Sequence, residues 1–192
     1  MRSAPPRRIP NRAVRSREYL TSDEVEKLIR AAARVGRHGH RDATLILLAY
    51  RHGLRVSELV SLRWDQVDLK ESVLHVVRSK NGTPSNHPIG NKEVRALRKL
   101  RRVSQSAHVF VSERGAAMTS ANVRKIVARA GRLAHLPFPV HPHMLRHACG
   151  YKLANEGHDT RAIQHYLGHR NIMHTVRYTE LASDRFKGFW TD

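Results

Sequence analysis

The stretch SVLHVVRSKNGTPSNHPI, residues 72–89, constrains the fold more than any other. Val73, Val76 and Val77 favour a strand, and KNGTPSN is a turn cluster containing Asn-Gly. The segment reads as a β-hairpin with Lys80 at its tip. HVFVS, residues 108–112, reads as a further short strand. Around these, apolar residues recur at helical spacing, so the chain is expected to place helices around one small antiparallel sheet, a mainly α architecture.

The helical segments carry their own punctuation. Thr21 with Glu24 forms a capping box, and Leu20 with Val25 occupies the two positions of a hydrophobic staple. Val25, Leu28, Ile29 and Ala32 follow on one face, and Gly36 and Gly39 end the helix. RDATLILLAYRHG reads as a mostly buried helix capped by Asp42 and stopped at Gly53. VSELVSLRW, KEVRALRKLRRV and TSANVRKIVARAGRLA follow as helices, the last capped by Thr119 or Ser120. HPHMLRHACGYKLANEG ends at Gly157, and DTRAIQHYLG runs from the cap Asp159 to the terminator Gly168. NIMHTVRYTELASDRF supplies one or two short helices more.

The formal net charge of +19 over 192 residues points to a polyanionic partner, above all nucleic acid. Of the 35 basic side chains 27 are Arg, whose forks match phosphate oxygens in pairs. One cysteine, Cys149, excludes a disulfide framework and a four-cysteine zinc site. The sequence holds no apolar run of the roughly 18 residues a membrane helix needs and no secretory signal. The expected setting is the bacterial cytoplasm, at the nucleoid. Residues 1–18 carry three Pro and six Arg and read as a basic arm, with residues 19–192 as one domain.

HPHMLRHACG, residues 141–150, concentrates chemistry. On a helix His143 and Arg146 share a face at i and i+3, while Leu145, Cys149 and Leu153 face the core. The helix N-terminus favours an anion and lowers a histidine pKa. His143 and His147 also have the i, i+4 spacing of a zinc helix, but no Glu follows His143, and His169 is the one candidate third ligand. Arg55 follows a helix stop, with Glu58 placed to hold its fork. Taken singly, that pair is more often a plain ion pair, Lys80 a solvated side chain and Tyr178 a packing tyrosine.

Arg55 in GLRVSEL, Lys80 in a hairpin, HPHMLRH, LGHRNIMHT and then Tyr178 resemble, in order and spacing, the tyrosine recombinase (phage integrase) family. The resemblance runs from about Tyr19 to Trp190. HPHMLRHACGYKLANEGHDTR and LGHRNIMHTVRYT look most like the fimbrial phase-variation recombinases, which invert a promoter segment. It implies the recombinase catalytic-domain fold (α+β) and a set of roles. Arg55 and Arg146 would clamp the scissile phosphate, with Glu58 bracing Arg55. His143 would accept the proton of the nucleophile, and His169 would complete the phosphate site. Lys80 would protonate the leaving 5′ oxygen, and Tyr178 would attack phosphorus to give a 3′-phosphotyrosyl link.

The residue chemistry is consistent with that reading. Phosphoryl transfer needs positioning and positive charge, which two Arg, two His and one Lys supply with no cofactor. A covalent intermediate conserves the bond energy, and no Gly-rich triphosphate loop is found. The family resemblance implies double-stranded DNA carrying repeats as the partner and a homotetramer on DNA. Most members carry a helical domain before the catalytic one, whereas about 18 residues precede it here. Arg7, Arg8, Arg12, Arg15 and Arg17 of the arm are therefore expected to contact phosphates, and DNA-bending proteins to assist. Arg146→Lys is expected to lower cleavage and leave the melting temperature nearly unchanged. Leu181, Phe186, Phe189 and Trp190 are expected to dock on a neighbouring subunit. A DNA-binding regulator without chemistry, or a nicking–closing topoisomerase, shares most of these features.

Overall fold

A computed structural model describes residues 18–78 and 83–180. Lys80, the arm residues Arg7, Arg8, Arg12, Arg15 and Arg17, and the apolar tail at Leu181, Phe186, Phe189 and Trp190 lie outside them.

Helix α1 spans Ser22–Ala33. The Thr21 hydroxyl accepts from the Glu24 amide at 3.3 Å, and the Glu24 carboxylate accepts from the Thr21 amide at 2.8 Å. Leu20 and Val25 are both buried, as a hydrophobic staple requires. Gly36, at φ +56°, turns the chain after α1.

Helix α2, Gly39–Arg51, is the central helix, buried from Asp42 to Tyr50. It begins three residues before the expected cap. Asp42 lies inside its first turn and caps nothing; its buried carboxylate accepts from Arg41 at 2.8 and 2.9 Å and from Arg129 at 2.9 Å. A buried carboxylate must be paired, and the two guanidiniums satisfy it better than a cap would. Helix α3, Val56–Val60, is short and is followed by a single 3₁₀ turn, Trp64–Gln66.

Strands β1 (Val67–Asp68), β2 (Val73–Val76) and β3 (Ser85–Pro88) form an antiparallel sheet in that order. Leu74 pairs with His87 and Val76 with Ser85. The third strand is thus Val67–Asp68 and not residues 108–112. HVFVS makes isolated bridges instead, with His108 opposite Arg63 and Val111 opposite Ala117. Its Val109 and Phe110 are buried, so core packing holds it where a sheet ladder does not.

Helices α4 (Asn91–Val103), α5 (Ser120–Leu133, capped by Thr119), α6 (Pro142–Asn155), α7 (Thr160–Leu167) and α8 (Met173–Glu180) complete the described chain. Pro142 opens α6, where a missing N–H costs nothing. The Asp159 carboxylate caps α7. Helix α2 packs against α1, α4 and α6, and α6 against α8. This places the C-terminal end of α2, the start of α6, and the turn between α7 and α8 around one point.

Candidate active site

Arg55 follows the turn at Gly53 and sits in extended conformation at the start of α3. Glu58, one helical turn on, accepts from the Arg55 amide at 2.9 Å and from its Nη1 at 2.8 Å. The other end of the fork donates to the Gly168 carbonyl at 3.4 Å. The Arg55 side chain remains 26% exposed, so it can still meet a ligand. Burial would raise the Glu58 pKa; the Arg55 amide, the Arg78 charge and the Arg55 fork outweigh it and hold the carboxyl below its usual range.

Arg146, on the second turn of α6, is buried. Its Nη1 donates to the Gly53 carbonyl and its Nη2 to the Leu167 carbonyl at 2.6 Å. Burial, then the charges of Arg55 and Arg78, lower its pKa to about 10, which leaves it charged at neutral pH. Arg55 and Arg146 thus come from different elements to the same two turns, Gly53–Arg55 and Leu167–Gly168. Gly168 is left-handed at φ +64°, and a Cβ there would lie 2.8 Å from the Arg78 side chain. Both requirements call for glycine.

His169 follows at once. Its Nδ1 lies 2.8 Å from the buried Thr175 hydroxyl, and Gln164 donates to its carbonyl at 3.0 Å. Burial and the nearby Arg146 lower its pKa to about 3, so the ring is neutral.

Tyr178 points from α8 back to α6 and is 2% exposed. Its hydroxyl lies 2.9 Å from His147 Nδ1, and its ring centroid 6.2 Å from that of His169. Burial raises its pKa to about 12. The ring lies against Gly150, where a Cβ would be 2.6–2.8 Å from three of its carbons. His143, the one exposed side chain on the otherwise buried first turn of α6, lies edge-on to His147 at 4.4 Å between centroids. Loss of surrounding water, then the Arg146 charge, lower its pKa.

The described chain therefore brings together Arg55, Glu58, Arg146, His169 and Tyr178, with His143 at the margin. Lys80 lies outside the described residues. The His143–His147 pair meets no third ligand, since no three His, Cys, Asp or Glu side chains among the described residues are grouped to hold a metal ion. Two participants escaped the sequence reading. His147 looked like half of a metal pair and is the partner of Tyr178. Arg78 is fully buried and donates to Glu58 at 2.9 Å. A signal for Arg78 existed: it continues the inward alternation of Leu74 and Val76, an unusual place for a cation.

Comparison with known proteins bears on this geometry. The model of the phage integrase family matches residues 18–185. The chain is 44% identical over 181 residues to the type 1 fimbriae regulatory protein FimE of Escherichia coli (strain K12), covering 91% of each. It is 43% identical over 182 residues to FimB of the same strain, covering 92% of this chain and 90% of that protein. The crystal structure of XerA recombinase superposes with a TM-score of 0.77 at 27% identity, over 95% of this chain and 68% of that one. The post-cleavage complex of XerH site-specific recombinase with a palindromic difH substrate gives 0.75 at 22% identity, over 88% and 51%, a likeness of fold alone. The chain belongs to the phage integrase family, the tyrosine recombinases that cut and rejoin DNA strands.

Proposed function

We propose that this recombinase exchanges strands between two specific DNA sites, inverting the segment between them, with Tyr178 as nucleophile. The observation that carries the reading is the convergence of Arg55 and Arg146 on the Gly53 and Leu167–Gly168 turns, with His169 and Tyr178 beside them. The similarity to fimbriae regulatory proteins supports inversion as the outcome. The DNA-bound recombinases among the structures of this fold support duplex DNA as the partner.

In this reading Arg55 and Arg146 hold the non-bridging oxygens of the scissile phosphate. Charge developing on those oxygens is met by two cations already held in place by the protein. The Tyr178 oxygen bonds to phosphorus and the bond to the 5′ oxygen breaks. His143 takes the phenol proton, Lys80 supplies one to the 5′ oxygen, and His169 completes the phosphate pocket. A phenol with a pKa near 12 is a poor nucleophile until it moves from its buried position toward the cations. Glu58 braces Arg55.

The wider reading has residues 19–192 as the catalytic domain and residues 1–18 as an arm. The arm adds phosphate contacts through Arg7, Arg8, Arg12, Arg15 and Arg17. Four protomers assemble on DNA with help from DNA-bending proteins, and the tail at Leu181, Phe186, Phe189 and Trp190 docks on a neighbour. The place of action is the bacterial cytoplasm, at the nucleoid. No helix among the described residues is long and apolar enough to cross a membrane.

A duplex from the flanking genomic repeats, nicked beside the cleavage point, tests the nucleophile. Loss of the short product traps the covalent complex. The adduct is expected on Tyr178, and Tyr178→Phe is expected to abolish it while retaining DNA binding. An adduct on Tyr151 or Tyr166 overturns the assignment. Relaxation of plasmids lacking any repeat, at the same rate, would favour a nicking–closing enzyme.

A further inference from the structure

We propose that Arg78 is a positioning residue for the reaction: it turns the Glu58 carboxylate so that Arg55 is held ready for the phosphate. The inference rests on the reading of Arg55 as a phosphate clamp. Arg78 cannot itself meet DNA. Its side chain is 0% exposed; both Nη nitrogens are engaged inside the protein, and Nε is buried without a partner among the described residues. Nη1 donates to Glu58 Oε2 at 2.9 Å. Nη2 faces the Tyr166 carbonyl, the His52 carbonyl at 3.4 Å and His87 Nε2 at 3.4 Å. The Cα of Gly168 passes directly over its stem, leaving no room for a side chain.

The carboxylate of Glu58 divides its two oxygens. Oε2 accepts from Arg78 and from the Arg55 amide, and Oε1 accepts from the Arg55 fork. With Oε2 anchored on both sides, the carboxylate cannot rotate, and Oε1 stays aimed at Arg55. Removing Arg78 takes away one of the anchors on Oε2.

A buried hydrogen-bond chain fixes Arg78 in turn. Glu93 Oε1 lies 2.8 Å from His52 Nε2, His52 Nδ1 lies 3.1 Å from His87 Nδ1, and His87 Nε2 lies 2.9 Å from the Ser85 hydroxyl. Burial, then neighbouring His52, lower the His87 pKa to about 3, so that ring is neutral. One assignment satisfies every ring nitrogen. His52 Nε2–H donates to Glu93, His87 Nδ1–H donates to His52, and His87 Nε2 accepts from Ser85 and faces the guanidinium. The Tyr166 ring stacks on His87 at 3.9 Å between centroids and closes the pocket. Thus α2, α4, α7 and the sheet all fix one guanidinium that touches no ligand.

The cost of the arrangement argues for its purpose. Position 78 continues the buried positions 74 and 76, where an apolar side chain is the cheaper occupant. Replacing a buried ion pair by apolar residues is often neutral or stabilising, so a buried Arg here is poorly explained by stability. It also adds a third cation to Arg55 and Arg146 around one carboxylate, which raises the positive potential where the phosphate would bind.

The test uses the full chain and a nicked cleavage substrate with either a phosphate or a methylphosphonate at the scissile position, each methylphosphonate diastereomer being used separately. Arg55→Ala on phosphate is expected to slow cleavage by roughly 10²–10³-fold. Arg78→Met is expected to slow it by roughly 10–10²-fold, the loss typical of a supporting partner. On the diastereomer where Arg55→Ala loses nothing, Arg78→Met should lose nothing either, because Arg55 no longer has a charge to hold. A damaged fold would slow both substrates alike, and that result overturns the proposal, as does normal cleavage of phosphate by Arg78→Met. Should Arg78→Met fail to fold, Arg78→Lys keeps the charge without the fork and should show the same split between substrates; equal losses on both would overturn the proposal. Normal phosphate cleavage by Arg55→Ala would instead remove the clamp reading beneath it.

Discussion

The Tyr178 hydroxyl sits 2.9 Å from His147 Nδ1, and its ring fills the space that a side chain at Gly150 would occupy. His147, with its pKa lowered to about 3 by burial and then by His143, is neutral and can accept the phenol hydrogen bond in its Nε2–H tautomer. Two residues of α6 therefore hold the proposed nucleophile: one by a hydrogen bond, the other by having no Cβ. With 2% of Tyr178 exposed, the ring is closed off from solvent in the described conformation.

Gly150→Ala should drive the ring out of its slot. The added methyl would meet ring carbons at 2.6–2.8 Å, closer than any real contact. The expected cost is about 1–3 kcal/mol in unfolding free energy, typical of overpacking. Ultraviolet titration should show the Tyr178 phenol dropping from about 12 toward its ordinary value near 10. An unchanged titration with unchanged stability would mean that the slot does not confine the ring.

Arg146→Lys keeps the charge and loses the fork. Cleavage should fall by roughly 10²–10³-fold. The structure alters the expectation for stability. Arg146 donates to two buried carbonyls, Gly53 and Leu167, and a lysine cannot span both. Leaving one unpaired should cost about 1–3 kcal/mol, read by urea unfolding. Full stability with steep loss of cleavage would show that water or another donor replaces the missing bond.

Acid should destabilise the fold well before its carboxylates protonate. His87 and His147 are buried, and both have a folded pKa of about 3 against 6.5 when unfolded. A depressed folded value means that unfolding takes up protons. Stability is complete above about pH 6.5 and declines toward pH 3, by about 1.4 kcal/mol per pH unit for each histidine. Glu58 and Glu93, also held below their usual range, add loss of the same sign at lower pH. Urea unfolding between pH 7 and pH 5 measures the slope, and His147→Gln should make it shallower by one histidine. A flat profile over that range would contradict the buried neutral rings.

Deleting residues 1–17 removes six Arg. If the arm touches phosphates, the fall of log K with log salt should become shallower by about 0.9 for each phosphate that is no longer neutralised. Fluorescence anisotropy on a labelled repeat at several salt concentrations reads this directly. An unchanged slope would leave the arm without a DNA role.

Much of this molecule is legible in short-range chemistry. The capping box at Thr21, the stop at Gly53, the cap at Asp159 and the left-handed end at Gly168 each depend on residues within a few positions. So does the pairing of Arg55 with Glu58, one helical turn apart. The Arg55, HPHMLRH, LGH and Tyr178 series marks a family because its order survives in sequence. What remained hidden depends on meetings between residues far apart in the chain. Asp42 reads as a cap until Arg129, from α5, meets it. HVFVS reads as a strand until its partners prove to be single bridges. His147 reads as a metal ligand until α8 folds back 31 residues later and sets the Tyr178 hydroxyl against it. Arg78 reads as one more basic side chain until strand register turns it inward onto Glu58, His87 and the Tyr166 carbonyl. Periodicity tells which face a residue occupies, but the partner it meets there is chosen by how separate elements pack, and a buried charge takes its role from that partner.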